Sequence, residues 1–320
     1  MLTSNPTQPT LANEDFLAVR DFIYEKSGIW FGENKKYLIE NRLAKRISEL
    51  GIATYKDYFY RVKYDTSLKE FDVLMNLVTT NETSFFRNPP QLKAFSEEVL
   101  PMIIKEKKES PGSIKRLKIW SAGCSTGEEP YTLGIIALER MHSMTGWNIE
   151  IIANDISQQV LYAARKGLYQ ESTLRTTDQR LIDKYFTKEG NFYRVKDEVK
   201  RLVKFNHVNL NDARQVGSFN DCDAIFCRNV MIYFSDDIKR SLVKQFYKSL
   251  RAGGFFFIGH SESLHGISKS FKLEYLKNAL VYKKEATRVE TTQKVTNKVA
   301  DSHTHTVDTL SKIRELLNKK

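Results

Sequence analysis

Between Asn13 and Gly28 the apolar residues Phe16, Val19, Phe22 and Ile23 recur at the spacing of a helix with one buried face. Asn13 reads as its N-cap and Gly28 as its stop. A second helix is predicted from near Asn34 to Gly51, burying Leu43, Ile47 and Leu50, and two more cover 55–63 and 68–78. Residues 13–80 therefore read as an all-helical N-terminal domain behind a polar, proline-containing flexible arm at 1–12. The linker at 81–95 contains Asn88-Pro89-Pro90, where two prolines preclude a continuous helix.

After a helix over 91–108 and the turn Ser110-Pro111-Gly112, the pattern changes. Short β-type runs at 117–121, 149–154, 203–208, 224–227 and 255–258 alternate with helix-length segments. That alternation predicts an α/β fold, a parallel sheet with helices on both faces, over 96–285. A close pair of runs at 271–274 and 279–283 predicts an antiparallel hairpin on the sheet edge. The interval 171–202 is long for one crossover, and its Phe192-Tyr193-Arg194-Val195 run predicts a small inserted β-subdomain. Residues 286–320 are polar and rich in Thr and Lys, which predicts a flexible tail with a short amphipathic helix at 307–317.

Composition narrows the class. With 320 residues, 41% hydrophobic and 28% charged, the chain has enough apolar material for buried cores. Collagen-like, disulfide-framework and wholly disordered readings are excluded. Apolar runs such as Phe255-Phe256-Phe257-Ile258 fall far short of the ~20 residues a spanning helix needs. Direct membrane insertion is therefore not expected, and the N-terminus lacks the basic and apolar stretches of a secretory signal. Cys124, Cys222 and Cys227 are odd in number and lack CxxC spacing, which argues for reduced thiols in a cytoplasm and against a metal site. The net charge of +11 invites an anionic partner without choosing between nucleic acid, membrane surface and acidic protein.

Ligands of doubly wound sheets bind at the carboxyl ends of the strands. The first such end is Ala122-Gly123-Cys124-Ser125-Thr126-Gly127-Glu128-Glu129-Pro130. Its Gly-x-Ser-x-Gly spacing also occurs in hydrolase nucleophile elbows, but His260 is the one tempting partner base. A dinucleotide fingerprint would need glycine where Ser125 stands, and Glu128 and Glu129 would repel a pyrophosphate. A ligand without phosphates fits better. The second strand ends at Asn154-Asp155, an acid able to accept from both hydroxyls of a ribose, or simply to cap a helix. The third ends at Asn209-Leu210, a polar group beside an apolar wall for an adenine ring. Together these point to S-adenosylmethionine.

Asn81-Glu82-Thr83-Ser84-Phe85-Phe86-Arg87, the 121–131 turn and Cys227-Arg228-Asn229-Val230-Met231-Ile232-Tyr233-Phe234 resemble the CheR-type chemoreceptor glutamate methyltransferases. Leu250-Arg251-Ala252-Gly253-Gly254 and Gly259-His260-Ser261-Glu262 fit the same pattern, and the resemblance covers about 12–284. It implies a Rossmann-like S-adenosylmethionine-dependent methyltransferase domain with an inserted β-subdomain, preceded by the helical domain. It also implies S-adenosylhomocysteine as product and chemoreceptor methylation helices as partners, the protein being cytoplasmic and recruited to membrane receptor arrays. Carried over by position, Asn81, Thr83, Arg87, Ala122, Glu128, Asp155, Ile156, Asn209, Leu210, Arg228 and Asn229 line the cofactor pocket. Arg87 and Tyr233 stand nearest the transferred methyl, as catalytic residues.

Lys35, Arg42 and Arg46 lie within about 40° of one another on a helical wheel, a basic stripe opposite Leu43 and Ile47 that is either a solvated face or a receptor-docking surface. Family members that tether to a C-terminal receptor pentapeptide carry a longer, Gly-rich loop in the β-subdomain. Here Thr187-Lys188-Glu189-Gly190-Asn191 is all that lies between Phe186 and Phe192, which argues against tethering. A nucleic-acid methyltransferase is the main rival, given the pI of 9.3, but Asn88-Pro89-Pro90-Gln91 is misplaced for an adenine-N6 motif and the basic residues are dispersed. A non-catalytic S-adenosylmethionine sensor is the other rival.

Overall fold

In the computed structural model, which describes residues 10–285 other than Pro111 and Ser113, the chain opens with α1 (Asn13–Ser27), α2 (Lys36–Glu49), α3 (Tyr55–Tyr64) and α4 (Lys69–Val78). Gly28 ends α1 as expected, at φ +77° with its N–H on Tyr24 O. The N-cap differs: it is Ala12, and the Asn13 side chain instead accepts from Lys36 Nζ at 2.6 Å. Most of the arm, the tail after Glu285 and its expected helix lie outside the described residues.

Pro89 and Pro90 start a helix rather than merely interrupting one. They occupy its first turn, where no amide donor is needed, in α5 (Pro89–Ala94), which runs through a π-helical turn at Phe95–Val99 into α6 (Leu100–Glu109). Then follow β1 (Arg116–Ala122), α7 (Glu128–Met141), β2 (Asn148–Asp155), α8 (Gln158–Lys166), β3 (Leu168–Gln170), α9 (Gln179–Tyr185), β4 (Phe186–Glu189) and β5 (Phe192–Val195). The chain continues with α10 (Asp197–Lys200), β6 (Val203–His207), α11 (Ala213–Val216), β7 (Cys222–Cys227), α12 (Asp236–Ser249), β8 (Leu250–Ile258), β9 (Lys272–Tyr275) and β10 (Leu280–Lys283).

Seven strands form one sheet in the order β6-β2-β1-β7-β8-β10-β9. The first five are parallel, and β10 runs antiparallel to both β8 and β9, the expected edge hairpin. Alternate strand side chains feed two cores: Trp120 and Phe256 join Phe246 of α12 and Phe16, Ile23 and Leu43 of the N-terminal helices, whereas Ile119, Phe226 and Phe257 pack with α5–α7 on the other face. From β1 the chain winds outward to β2 and β6, then returns to β7 on the other side. The reversal leaves a crevice at the carboxyl ends of β1 and β7.

The inserted sheet, order β3-β5-β4, begins at Leu168, ahead of the expected 171. Three of the five residues expected in the β4–β5 loop belong to β4, which leaves a two-residue turn with Gly190 at φ +60° in its first position, the place a II′ turn gives to glycine. Glu139 of α7 ties this insert down. Burial raises its carboxyl pKa, but bonds from Lys184, Tyr185 and Arg180 outweigh that and hold it at about 2. A depressed carboxyl stabilises fully above its unfolded value, so this contact is expected to weaken as pH falls from about 4.5 toward 2. Limited proteolysis within 171–202 should therefore accelerate over that window, and Glu139→Gln should show the acid behaviour already at neutral pH.

Candidate functional site

Above that crevice lies a cleft of about 1070 Å³, counted out to open solvent, at the meeting of the helical region, the linker and four strand ends. Its floor is the turn after β1. Gly123 adopts φ +79°, and a Cβ there would stand 2.5 Å from Val230 Cγ2, so glycine is required for the two strand ends to approach. Gly123 and Cys124 donate to Asn154 O, which fixes the turn to β2. Ser125, itself at φ +49°, donates its N–H to Asp155 Oδ2 at 2.9 Å and its hydroxyl to Asn81 O at 2.9 Å.

Asp155 is 8% exposed and also accepts from Ser157 N at 3.0 Å. Burial pushes its carboxyl pKa up, opposed by bonds from the backbone N–H groups of Ser157, Ser125 and Ile156. The roof is the linker. Arg42 of α2 donates to Val78 O and Thr80 Oγ1, and Phe85 packs edge-on against Tyr169 and Phe186 of the insert. Val208 and Leu210 beyond β6, with Ile156, make an apolar wall. The remaining wall is the segment after β7, from Arg228 to Phe234.

Of the predicted site residues, Asn81, Thr83, Arg87, Asp155, Ile156, Asn209, Leu210, Arg228, Asn229 and Tyr233 line this one cleft. Two do not. Ala122 is buried inside β1, and its neighbour Gly123 forms the wall instead. Glu128 turns inward, where its Oε2 accepts from Thr126 Oγ1 at 2.6 Å and burial raises its carboxyl pKa against that bond. The carboxylate facing the cleft is Glu129, held by Ser121 Oγ (2.7 Å) and Arg228 (3.2 Å). Successive helical residues point about 100° apart, so the Glu-Glu pair alone did not say which one faces the ligand.

Some predicted residues are also structural. The buried guanidinium of Arg228 donates to Gln91 Oε1 (2.9 Å), Glu129 Oε2 (3.2 Å) and Arg87 O (2.6 Å), binding α5, α7 and the linker together. Asn209 Nδ2 donates to Lys26 O, fastening the third strand end to α1. The basic stripe is not free either: Arg46 pairs bidentately with Glu70 of α4 (2.9 and 2.7 Å), and Arg42 is spent on Val78 O and Thr80 Oγ1 just ahead of the linker, leaving Lys35 exposed.

The donor set suits a cationic, phosphate-free ligand. Asp155 and Glu129 place two carboxylates at the cleft, with apolar walls beside them and a left-handed glycine where a ligand approaches backbone. Asp155 and Ile156 fit the ribose and adenine of S-adenosylmethionine, and Glu129 its ammonium group. No helix among the described residues is long and apolar enough to cross a membrane.

The chain matches two family models, "CheR methyltransferase, all-alpha domain" over residues 14–79 and "CheR methyltransferase, SAM binding domain" over 81–280. It is 35% identical over 275 residues to chemotaxis protein methyltransferase 2 of Vibrio cholerae, covering 86% of this chain and 94% of that one. It is also 35% identical over 264 residues to the chemotaxis protein methyltransferase of Borreliella burgdorferi (82% and 91%). Identity to chemotaxis protein methyltransferase 1 of Pseudomonas aeruginosa is 32% over 278 residues (85% and 98%).

Proposed function

The chain belongs to the CheR methyltransferase family, and from that premise we propose that it methylates glutamate side chains of chemoreceptors, leaving glutamate methyl esters. The observation that supports this most is the convergence of Arg87 and Tyr233 with Asp155 in one cleft at the switch point of the sheet. When bound, S-adenosylmethionine supplies a methyl group on a sulfonium, which an ionised carboxylate attacks in line.

An acceptor glutamate is already ionised at pH 7, so the site needs no general base. Opposite charges cancel along the reaction, and the apolar walls made by Ile29, Val78, Val230 and Phe234 favour that neutralisation by keeping water out. Alignment is then the main task of the protein, worth about 7–11 kcal/mol in favourable cases. Arg87, whose own carbonyl is anchored by Arg228, orients the acceptor carboxylate. Held too tightly, that carboxylate would be a poor nucleophile. The Tyr233 hydroxyl positions it from the other side. Docking of the receptor's acidic helices falls to the exposed Lys35, since Arg42 and Arg46 are engaged within the chain. The two-residue β4–β5 turn is shorter than the Gly-rich loop of tethering family members, which argues against pentapeptide tethering.

The test mixes the protein with methyl-labelled S-adenosylmethionine and receptor-bearing membranes from its own source, followed by mild alkali. Volatile methanol is expected; alkali-stable label means N-methylation and overturns the reading. Arg87→Ala should lose nearly all transfer, and Tyr233→Phe, which deletes one hydrogen bond to a charged acceptor, should lower kcat about tenfold or more. Both should retain S-adenosylhomocysteine binding by calorimetry to a far greater degree than transfer.

A further inference from the structure

The segment that carries Tyr233 is fastened from behind by a group that the proposed transfer chemistry does not use. Glu262 follows β8, and its carboxylate accepts three backbone N–H bonds. Oε2 takes Asn229 N at 2.8 Å and Gly259 N at 2.6 Å, and Oε1 takes Ile232 N at 3.1 Å. Asn229 sits at φ +60°, a conformation that costs a non-glycine residue energy and persists only where its surroundings enforce it. A turn of this kind gathers amide donors into an anion-binding concavity, and here the anion is a side chain of the same protein. The approach leaves no slack: a Cβ on Gly259 would stand 2.6 Å from Glu262 Oε2 and 2.9 Å from Asn229 N. The other end of the segment is also pinned, by Trp30 N on Tyr233 O at 2.8 Å and by the Ile29–Phe234 bridge.

We propose that Glu262 is a positioning residue for methyl transfer, a carboxylate clamp that sets where Tyr233 and Asn229 stand over the acceptor. The proposal rests on the reading of Tyr233 as the acceptor-side group. Bonds from N–H to a carboxylate are charge-assisted and about twice as strong as neutral ones, so three of them make the turn rigid. Rigidity matters because a misplacement of about 1 Å at a transfer site costs on the order of 100-fold in rate.

Two substitutions grade the clamp. Glu262→Ala removes every acceptor, whereas Glu262→Gln removes at least one, since one end of its amide always offers N–H to an N–H donor. With receptor as acceptor, kcat is expected to fall about 100-fold for alanine and less for glutamine, with acceptor KM little changed. Hydrogen exchange should rise at the amides of Asn229, Ile232 and Gly259 while β7 and β8 stay protected. Gly259→Ala, which pushes on the same clamp from the other side, should give the same pattern. Wild-type kcat in both Glu262 variants, beside a slowed Tyr233→Phe, overturns the clamp and leaves the Tyr233 reading intact. A fully active Tyr233→Phe removes the reading and the clamp with it. Loss of protection throughout β7 and β8 makes Glu262 a general brace and also overturns the proposal.

Discussion

Replacing Asp155 with alanine is expected to weaken S-adenosylhomocysteine binding by about 100- to 10,000-fold, the largest single effect on ligand affinity in the site. The estimate follows from the hydrogen-bond count. In the proposed reading this carboxylate at the end of β2 accepts from both ribose hydroxyls, and hydrogen bonds to charged groups contribute about 1.5–3 kcal/mol each. At about 1.4 kcal/mol per tenfold, losing two of them spans the stated range. The same carboxylate also accepts from Ser125 N and Ser157 N, so alanine frees the turn that forms the floor of the cleft. Asp155→Asn keeps one good acceptor and should lie between wild type and alanine. Calorimetric titration with S-adenosylhomocysteine checks both. An alanine variant that binds within a few-fold of wild type would leave Asp155 only its bonds to Ser125 N and Ser157 N, since the cap of α8 is Ser157.

The second large effect is on stability. Arg228 is a buried cation whose three nitrogens are all engaged, and its ionic partner Glu129 is itself only 15% exposed. Removing one member of a buried pair strands the other with little solvent to take its place, which costs up to about 3–5 kcal/mol. Arg228→Met, which keeps much of the volume, should lose that amount in urea unfolding at unchanged slope. Adding Glu129→Gln removes the stranded charge, so the double variant should be more stable than the sum of the single losses predicts. Strict additivity would mean that the pair is not coupled and that the loss comes from packing alone.

Much of the architecture was legible because it is periodic. Trp120 against Ile119, and Phe256 against Phe255 and Phe257, alternate between the two cores as strand residues must, and Phe16, Val19 and Ile23 repeat as one buried face of a helix must. Where the period was interrupted, the reading slipped. The strand expected at 255–258 starts earlier, at Leu250: Gly253 and Gly254 break the apolar run, while Gly253 N and Gly254 O still pair with Lys284. At three residues β3 is too short for any period, although its Tyr169 hydroxyl holds Thr126 O at 2.7 Å beneath the cleft. Arg42 and Arg46 looked like a surface stripe because their partners, Thr80 and Glu70, are 38 and 24 residues away.

By itself the sequence determined the α/β class, the helical region before it, the inserted β-element and the family, all of which rest on local pattern and on motifs quoted in order along the chain. The tertiary structure alone decided which of two adjacent glutamates faces the cleft, that Arg228 braces three elements, that the basic stripe is mostly engaged within the chain, and that Glu262 grips the Tyr233 segment. The physical reason is common to all four. A side chain's type is local, but its partner is chosen by packing that reaches across as many as 141 positions, and sequence order carries no record of that distance in space.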